Sequence, residues 1–161
     1  DETAFLIGKI TDWEQYNLLP GNANLLIDNN YAGTSYINPN STEDTLTLSL
    51  GRDDRIHSKY EKVEEEGSKT TFLGKTKKRD YTYEITVRNT RSEATEMEVV
   101  EQFPVSTEKD IVVKLTETSG AQVNNEKGEL RWKVSLEPGE AKVLKISYSI
   151  SFPKDKHVSG I

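Results

Sequence analysis

The chain has 161 residues, of which 34% are hydrophobic and 30% charged, and its formal net charge is −6. This length suits one domain or two small ones, and the apolar residues are too regularly spaced for a disordered chain. Acidic residues outnumber basic ones in both halves. We therefore expect no nucleic-acid partner, because such binding needs a basic face.

The absence of cysteine excludes disulfide bonds, thiolate zinc sites and a cysteine nucleophile. No apolar run approaches the roughly 18 residues of a membrane span, so no span is predicted in this chain. No signal peptide is recognised at its start. Because the chain opens on Asp1 rather than Met, we expect a fragment or a processed form of a longer protein.

The first half of the chain predicts short strands separated by turns. Residues Ala4–Ile10 form an apolar run, and a hairpin is expected over 23–37. Its tight turn would lie at Asp28-Asn29-Asn30, since asparagine tolerates the positive φ that such turns need. A dense group of turn-forming residues follows at 38–44.

The leucines 46, 48 and 50 alternate with polar residues and predict a strand that breaks at Gly51–Asp54. A longer and more polar strand is expected over Arg55–Val63. Residues 70–79 are rich in lysine, and the boundary between two regions is placed after residue 78.

The second half contains the clearest period-2 pattern. The residues Tyr81, Tyr83, Ile85 and Val87 alternate with polar ones, which predicts a strand with one buried and one exposed face. Further strands are expected around Met97–Val100, Ile111–Leu115, Leu130–Leu136 and Leu144–Phe152. No window of helical length has the 3.6-residue period.

The predicted class is all-β, with a small region of hairpins over 1–78 and an immunoglobulin-like β-sandwich over 79–158. Trp132 is expected in the sandwich core. With no disulfide to pack against, its neighbours would be aliphatic: Ile85, Val87, Leu115 and Ile146.

Seven short motifs lie in order along nearly the whole chain. They are Leu18–Asn24 (LLPGNAN), Gly33–Pro39 (GTSYINP), Glu43–Ile56 (EDTLTLSLGRDDRI), Tyr83–Asn89 (YEITVRN), Phe103–Ser106 (FPVS), Pro138–Glu140 (PGE) and Phe152–Lys156 (FPKDK). Together they resemble the C-terminal domain of the mucoidy inhibitor A-like proteins, and Glu43–Ile56 is the most specific of them.

The resemblance implies a domain of unknown function from a larger protein, in which an N-terminal β domain and a coiled coil precede this part. It also implies the bacterial cell envelope, at the periplasm or the surface, because the family is named for an influence on mucoid capsule production. The missing N-terminal part of the parent protein is the first expected partner. No reaction and no cofactor are implied.

Charged residues flank the strand of leucines at both ends: Glu43, Asp44, Arg52, Asp53, Asp54 and Arg55. They suggest either carboxylates that bind a cation or an Arg–carboxylate cluster for a polar ligand. The alternative is that they keep turns in water and form ion pairs at the strand ends. The two histidines have no second histidine at ligand spacing, so no metal site is predicted.

Trp13, Tyr16 and two further tyrosines lie near predicted turns. Aromatic faces of this kind suit the rings of a glycan, or they fill an interface with the missing part of the protein. The favoured function is a non-catalytic interaction or scaffold module, with self-association as a further option. The alternatives are a carbohydrate-binding module that uses these aromatics and a hydrolytic enzyme built on the charges at Glu43–Arg55.

Overall fold

The computed structural model describes residues 3–27, 29–39, 44–63 and 71–156. Across these residues the structure is all-β, as predicted, and its helical content is one 3-10 turn at Trp13–Tyr16. The strands are β1 (Thr3–Thr11), β2 (Gly21–Ile27), β3 (Asn30–Ile37), β4 (Thr45–Lys62), β5 (Thr71–Leu73), β6 (Thr76–Asn89), β7 (Thr95–Gln102), β8 (Val112–Glu117), β9 (Gln122–Asn124), β10 (Glu129–Leu136) and β11 (Ala141–Pro153).

The chain folds as two compact units, one ending at Ile56 and the other beginning at His57. Strand β4 contributes its first part to the first unit and its last residues to the second. The boundary placed after residue 78 by sequence falls inside β6.

The first unit contains β1, the β2–β3 hairpin and the first part of β4. The hairpin pairs antiparallel with a register shift after Leu25. Asn29 has a φ of 63°, the left-handed conformation expected of the turn, while Asp28 lies outside the described residues. A small core joins the strands to the 3-10 turn; its buried members are Trp13, Leu25, Leu46 and Leu48.

The predicted break at Gly51–Asp54 is wrong, because β4 continues through it for 18 residues. Within the strand, Gly51 has a φ of 101°, a conformation that would be strained in a residue with a side chain. Strand β4 is hydrogen-bonded between β1 and β6. Incorporation of β4 in the sheet therefore outweighs the weak local turn preference of three charged residues.

In the second unit the main sheet runs β4-β6-β11-β8, with β5 paired to β6. The β6–β11 ladder is its longest, from Ala141 opposite Arg88 to Pro153 opposite Thr76. A separate three-stranded sheet has the order β7-β10-β9. The lysine-rich residues expected to form a boundary are in fact the β5–β6 hairpin.

The core of the second unit lies between these two sheets. Strand β10 contributes Leu130, Trp132, Val134 and Leu136, all nearly inaccessible to solvent. They share one cluster with side chains of β6 and β11, and the expected neighbours of Trp132 are all in it: Ile85, Val87, Leu115 and Ile146. The indole Nε1 of Trp132 donates a hydrogen bond to the Thr118 carbonyl at 2.8 Å.

Asn89, at the end of β6, is the fully buried polar residue of this unit. Its Nδ2 donates to the carbonyls of Glu93 and Leu136 at 2.8 and 3.1 Å, and its Oδ1 accepts from the Arg91 amide at 2.9 Å. One side chain thereby fixes the loop after β6 to the end of β10. Sequence patterning did not single it out.

Replacing Trp132 with alanine is expected to lower the free energy of unfolding by about 3–5 kcal/mol, because the cavity left in a packed core refills only partly. Denaturant titration measures the change. Val143→Ala is the control, since Val143 is 54% exposed. Equal midpoints for the two variants would contradict the core position of Trp132.

Asn89→Leu is expected to destabilise the protein by roughly 1–3 kcal/mol, since buried carbonyls and an amide lose their hydrogen-bond partner. The same substitution at the exposed Asn125 should leave the unfolding midpoint unchanged. Thermal unfolding of both variants measures the effect. An Asn89→Leu variant with the same unfolding midpoint as the unaltered protein would contradict this account.

Candidate functional site

Four of the charged residues singled out by sequence lie along β4: Arg52, Asp53, Asp54 and Arg55. Glu43 is outside the described residues, and Asp44 is exposed just before β4. Along β4, side chains alternate between faces, which separates Arg52 and Asp54 from Asp53. Asp53 is buried, and its Oδ1 accepts a hydrogen bond from the Arg55 amide at 3.2 Å.

The guanidinium of Arg55 also lies 4.0 Å from the Asp53 carboxylate. This pair holds together residues two positions apart on the same strand. Such a contact is what the alternative role of these charges, ion pairs along the strand, predicts.

The aromatics singled out by sequence divide between core and surface. Trp13 is 4% exposed and packs in the core of the first unit, so it offers no ring face to a glycan. Tyr16 is 61% exposed, and Tyr31 and Tyr36 are exposed as well. Trp13 is buried because it packs against the leucines of the β2–β3 hairpin and β4.

No group of three or more metal-ligating side chains occurs within the ranges that the structure describes. His57 is exposed on β4, and His157 lies outside those ranges. Over the same residues, no helix has the length and apolar character needed to cross a membrane.

A shallow depression of about 320 Å³ lies where β6, β8 and β11 meet. It is lined by Asp80, Tyr81, Thr82, Thr116, Glu117, Lys145, Ser147 and Tyr148. The hydroxyls of Thr82 and Ser147 are hydrogen-bonded across it at 3.0 Å. Its charged and hydroxyl groups can hydrogen-bond a polar ligand, but they belong to ordinary cross-strand neighbours of a sheet face.

A row of stacked tyrosines is a feature that sequence reasoning missed. The rings of Tyr60 and Tyr83 are 5.3 Å apart, those of Tyr83 and Tyr148 are 6.0 Å apart, and Tyr81 stacks on Tyr148 at 5.3 Å. The row crosses β4, β6 and β11 on the face that continues the core. The alternation of Tyr81 and Tyr83 was visible in sequence, but the register that adds Tyr60 and Tyr148 was not.

Two phenols of the row, Tyr60 and Tyr148, have a pKa above the usual value. Burial, helped by the negative charge of Glu101, raises the pKa of Tyr60 to about 12. Burial and a hydrogen bond with Tyr83 also raise the pKa of Tyr148. The phenols of Tyr60 and Tyr148 are therefore neutral at physiological pH. Lys62 covers the outer end, with its Nζ 5.3 Å from the centre of the Tyr81 ring.

The edge of the sheet at β1 is open among the described residues, since β1 pairs only with β4. Its outward side chains Phe5 and Ile7 are 48% and 53% exposed. On the other face, Ile10 packs on the core and Gly8 lies against Leu50. Both faces of β1 are thus apolar.

Residues 11–154 match a family described as domain of unknown function DUF4139. The chain belongs to this family. It is also similar to Protein F37C4.5 of Caenorhabditis elegans, with 22% identity over 168 residues that cover 97% of this chain and 30% of that protein. The chain thus spans less than a third of that relative's length. No solved structure matches it significantly.

The DUF4139 match begins at the end of β1 and runs through both units to the end of β11. It therefore includes the charged stretch of β4 and the tyrosine row. The family description assigns no chemistry to either.

Raising the pH from about 10 to about 12 is expected to destabilise this DUF4139 domain. The folded-state pKa of Tyr60 is above the unfolded value of about 10, so its contribution is complete below pH 10 and is lost as the pH rises through about 12. Denaturation midpoints across this range measure the loss. Tyr60→Phe should flatten the decline, whereas Tyr16→Phe, at an exposed site, should not. Parallel curves for parent and Tyr60→Phe would contradict the assignment.

Proposed function

We propose that this chain is a non-catalytic interaction module that docks through the open edge and outer face of β1. The single observation that carries the proposal is the exposure of Phe5 and Ile7 on an edge strand whose other face is already in a core. A strand with apolar residues on both faces is typical of one covered on both sides.

An uncovered edge of this kind is a hazard that natural proteins avoid. Edge strands are usually protected by charges, proline or bulges, because their unpaired amides and carbonyls recruit other strands. Residues Ala4–Ile10 contain no proline and one charge, at Lys9. Coverage by another strand or apolar surface in the working protein explains this composition.

We assign that coverage to the remainder of a longer parent protein. The length of Protein F37C4.5 supports this choice, since the region similar to this chain is 30% of it. Further large side chains of the first unit are exposed as well: Tyr16, Leu19, Leu26, Tyr31 and Tyr36. Intramolecular docking needs only modest surface, because the linked partner is at high effective concentration.

Three finer statements belong to the same proposal. The motif order supports membership of the mucoidy inhibitor A-like group, and with it a bacterial envelope location; the nematode relative does not add to that support. The two sheets facing each other across the Trp132 core support an immunoglobulin-like arrangement of the second unit.

The two rival functions have weaker support. A glycan platform would have to use Tyr16 without Trp13, which is buried. A hydrolase would need its carboxylates to converge, whereas the described charges of β4 lie on alternate faces, and the one buried carboxylate is paired with Arg55.

The test adds the remainder of the full-length parent to this chain in trans and measures binding by calorimetric titration. The double variant Phe5→Ser, Ile7→Ser is expected to bind at least about tenfold more weakly, since burying one such side chain is worth about 1.5–3 kcal/mol.

The matched control is Val112→Ser, Val143→Ser. These valines are 55% and 54% exposed on strands of the other unit, so they should leave the affinity unchanged. No binding by the parent chain would overturn the proposal. Binding lost equally in both double variants would place the contact elsewhere.

A further inference from the structure

We propose that the open edge of β7 binds an extended, basic peptide segment of another protein, which pairs with the β7 backbone and lies over Tyr60. This site goes beyond the proposed docking function, since it uses a different strand and a different partner from the contact at β1. Four observations carry it: the direction of the β7 backbone groups, the exposed ring beneath the edge, the width of the two sheets, and the charge of the strand.

The direction of the backbone groups follows from one hydrogen bond. The Phe103 amide donates to the Gly128 carbonyl at 2.8 Å, and these two residues continue the β7–β10 register. In an antiparallel pair, alternate residues bond to the partner strand. Residues 95, 97, 99 and 101 therefore bond to β10, while the amides and carbonyls of Glu96, Glu98 and Val100 point to the open side.

Gln102 is the next residue of β7 whose amide points to the open side, and this amide does not bond to another strand of the described chain. The Gln102 amide donates to its neighbour's carboxylate, Glu101 Oε1, at 2.9 Å. Within the described residues, β7 pairs with β10 alone. Three successive outward-facing residues thus remain available for a ladder, which suits a segment of about six residues.

The floor beside this edge is aromatic. Glu101 faces the same side of the sheet as its cross-strand partner Leu130, which is in the core. From there its charge acts on the Tyr60 hydroxyl. The Tyr60 ring is stacked on Tyr83 on one side and remains 39% exposed. A strand beside β7 would cover this ring with an inward apolar side chain.

The two sheets of the second unit differ in their number of strands, and this difference leaves room for an added strand beside β7. In the second unit, β4, β6, β11 and β8 lie side by side, while the facing sheet has only β7, β10 and β9. Only four residues join β8 to β9, which keeps β9 on the β8 side of the main sheet and leaves β7 toward the β4 side, where Tyr60 lies. A fourth strand added at β7 would complete the cover over the main sheet, which is the geometry of β-strand addition.

The negative charge of β7 favours a basic peptide at this edge. Glu96 and Glu98 are exposed on its outer face, and Glu101 lies on the inner one. Glu98 pairs with Arg131 and has Lys133 as its cross-strand partner, whereas Glu96 and Glu101 lie opposite the uncharged Ser135 and Leu130. Two copies of β7 edge to edge would bring these glutamates together, and like charges across strands are destabilising. Lysine or arginine on the incoming strand would instead oppose them.

The experiment adds a synthetic octapeptide that alternates lysine with valine and carries one phenylalanine, and follows amide hydrogen exchange of the full chain by NMR. New protection is expected at the amides of Glu96, Glu98 and Val100, but not at Met97 and Val99, which already bond to β10. A glutamate version of the peptide should give none, and added salt should weaken binding.

Two changes remove the pairing in different ways. Val100→Pro deletes an outward amide at an edge position where proline is tolerated, and it should weaken binding about tenfold. The same peptide with N-methylated amides on its pairing edge should also fail with the unaltered chain, so that the test does not depend on the folding of one variant.

The charge contribution is measured with Glu96→Gln, which should weaken binding about two- to fivefold. The control is Glu126→Gln, in the exposed turn before β10. Equal effects of these two variants would overturn the proposed charge complementarity.

Three further outcomes would overturn the proposal. Protection of the outward amides that exists without peptide and does not change with dilution means that the chain covers its own edge. Protection that grows with protein concentration alone means that a second copy binds there. Peptide-induced protection along β1 or β8 instead of β7 locates the binding elsewhere, and binding at β1 would bear on the proposed function rather than on this site.

Discussion

The antiparallel ladder of β6 and β11 is the constraint on which the second unit depends. It places Tyr81 opposite Tyr148, and Ile85 opposite Leu144, so that one face of the sheet is apolar along most of its length. A face of that length needs cover, because exposed apolar area is the main cost that folding removes. The sheet of β7, β10 and β9 supplies that cover through Trp132 and its neighbours.

Among the described residues, the sheet of β7, β10 and β9 has fewer strands than the main sheet, so it covers the apolar face of that sheet only in part. Beneath β10 the core is aliphatic and closed to solvent, with Leu130 and Leu136 wholly buried. Toward β4 the same face changes to tyrosines, of which Tyr148 is buried and Tyr60 is 39% exposed. Their ring bodies are apolar and their hydroxyls tolerate water, so tyrosine suits both positions. The exposed ring of Tyr60 also makes the margin toward β4 suitable for binding.

The first unit has a smaller core than the second. Trp13 fills much of it, and this explains why an aromatic residue near a turn is buried rather than displayed. The outer face of β1 lies outside this core, and Phe5 and Ile7 remain exposed on it. The exposed charges of β4 keep that strand in contact with water, and Arg55 forms a local ion pair with Asp53.

The sequence by itself determined the all-β class, most strand positions, the left-handed turn at Asn29 and the core role of Trp132. These are local properties, because period-2 alternation and turn preference depend on residues that are neighbours in the sequence. Only the tertiary structure decided that β4 runs unbroken through Gly51, that Asn89 bonds to the end of β10, and that Tyr60 stacks on Tyr83. Each depends on which strands pair and in what register, and a strand's own residues specify which face is apolar but not which neighbour will lie beside it.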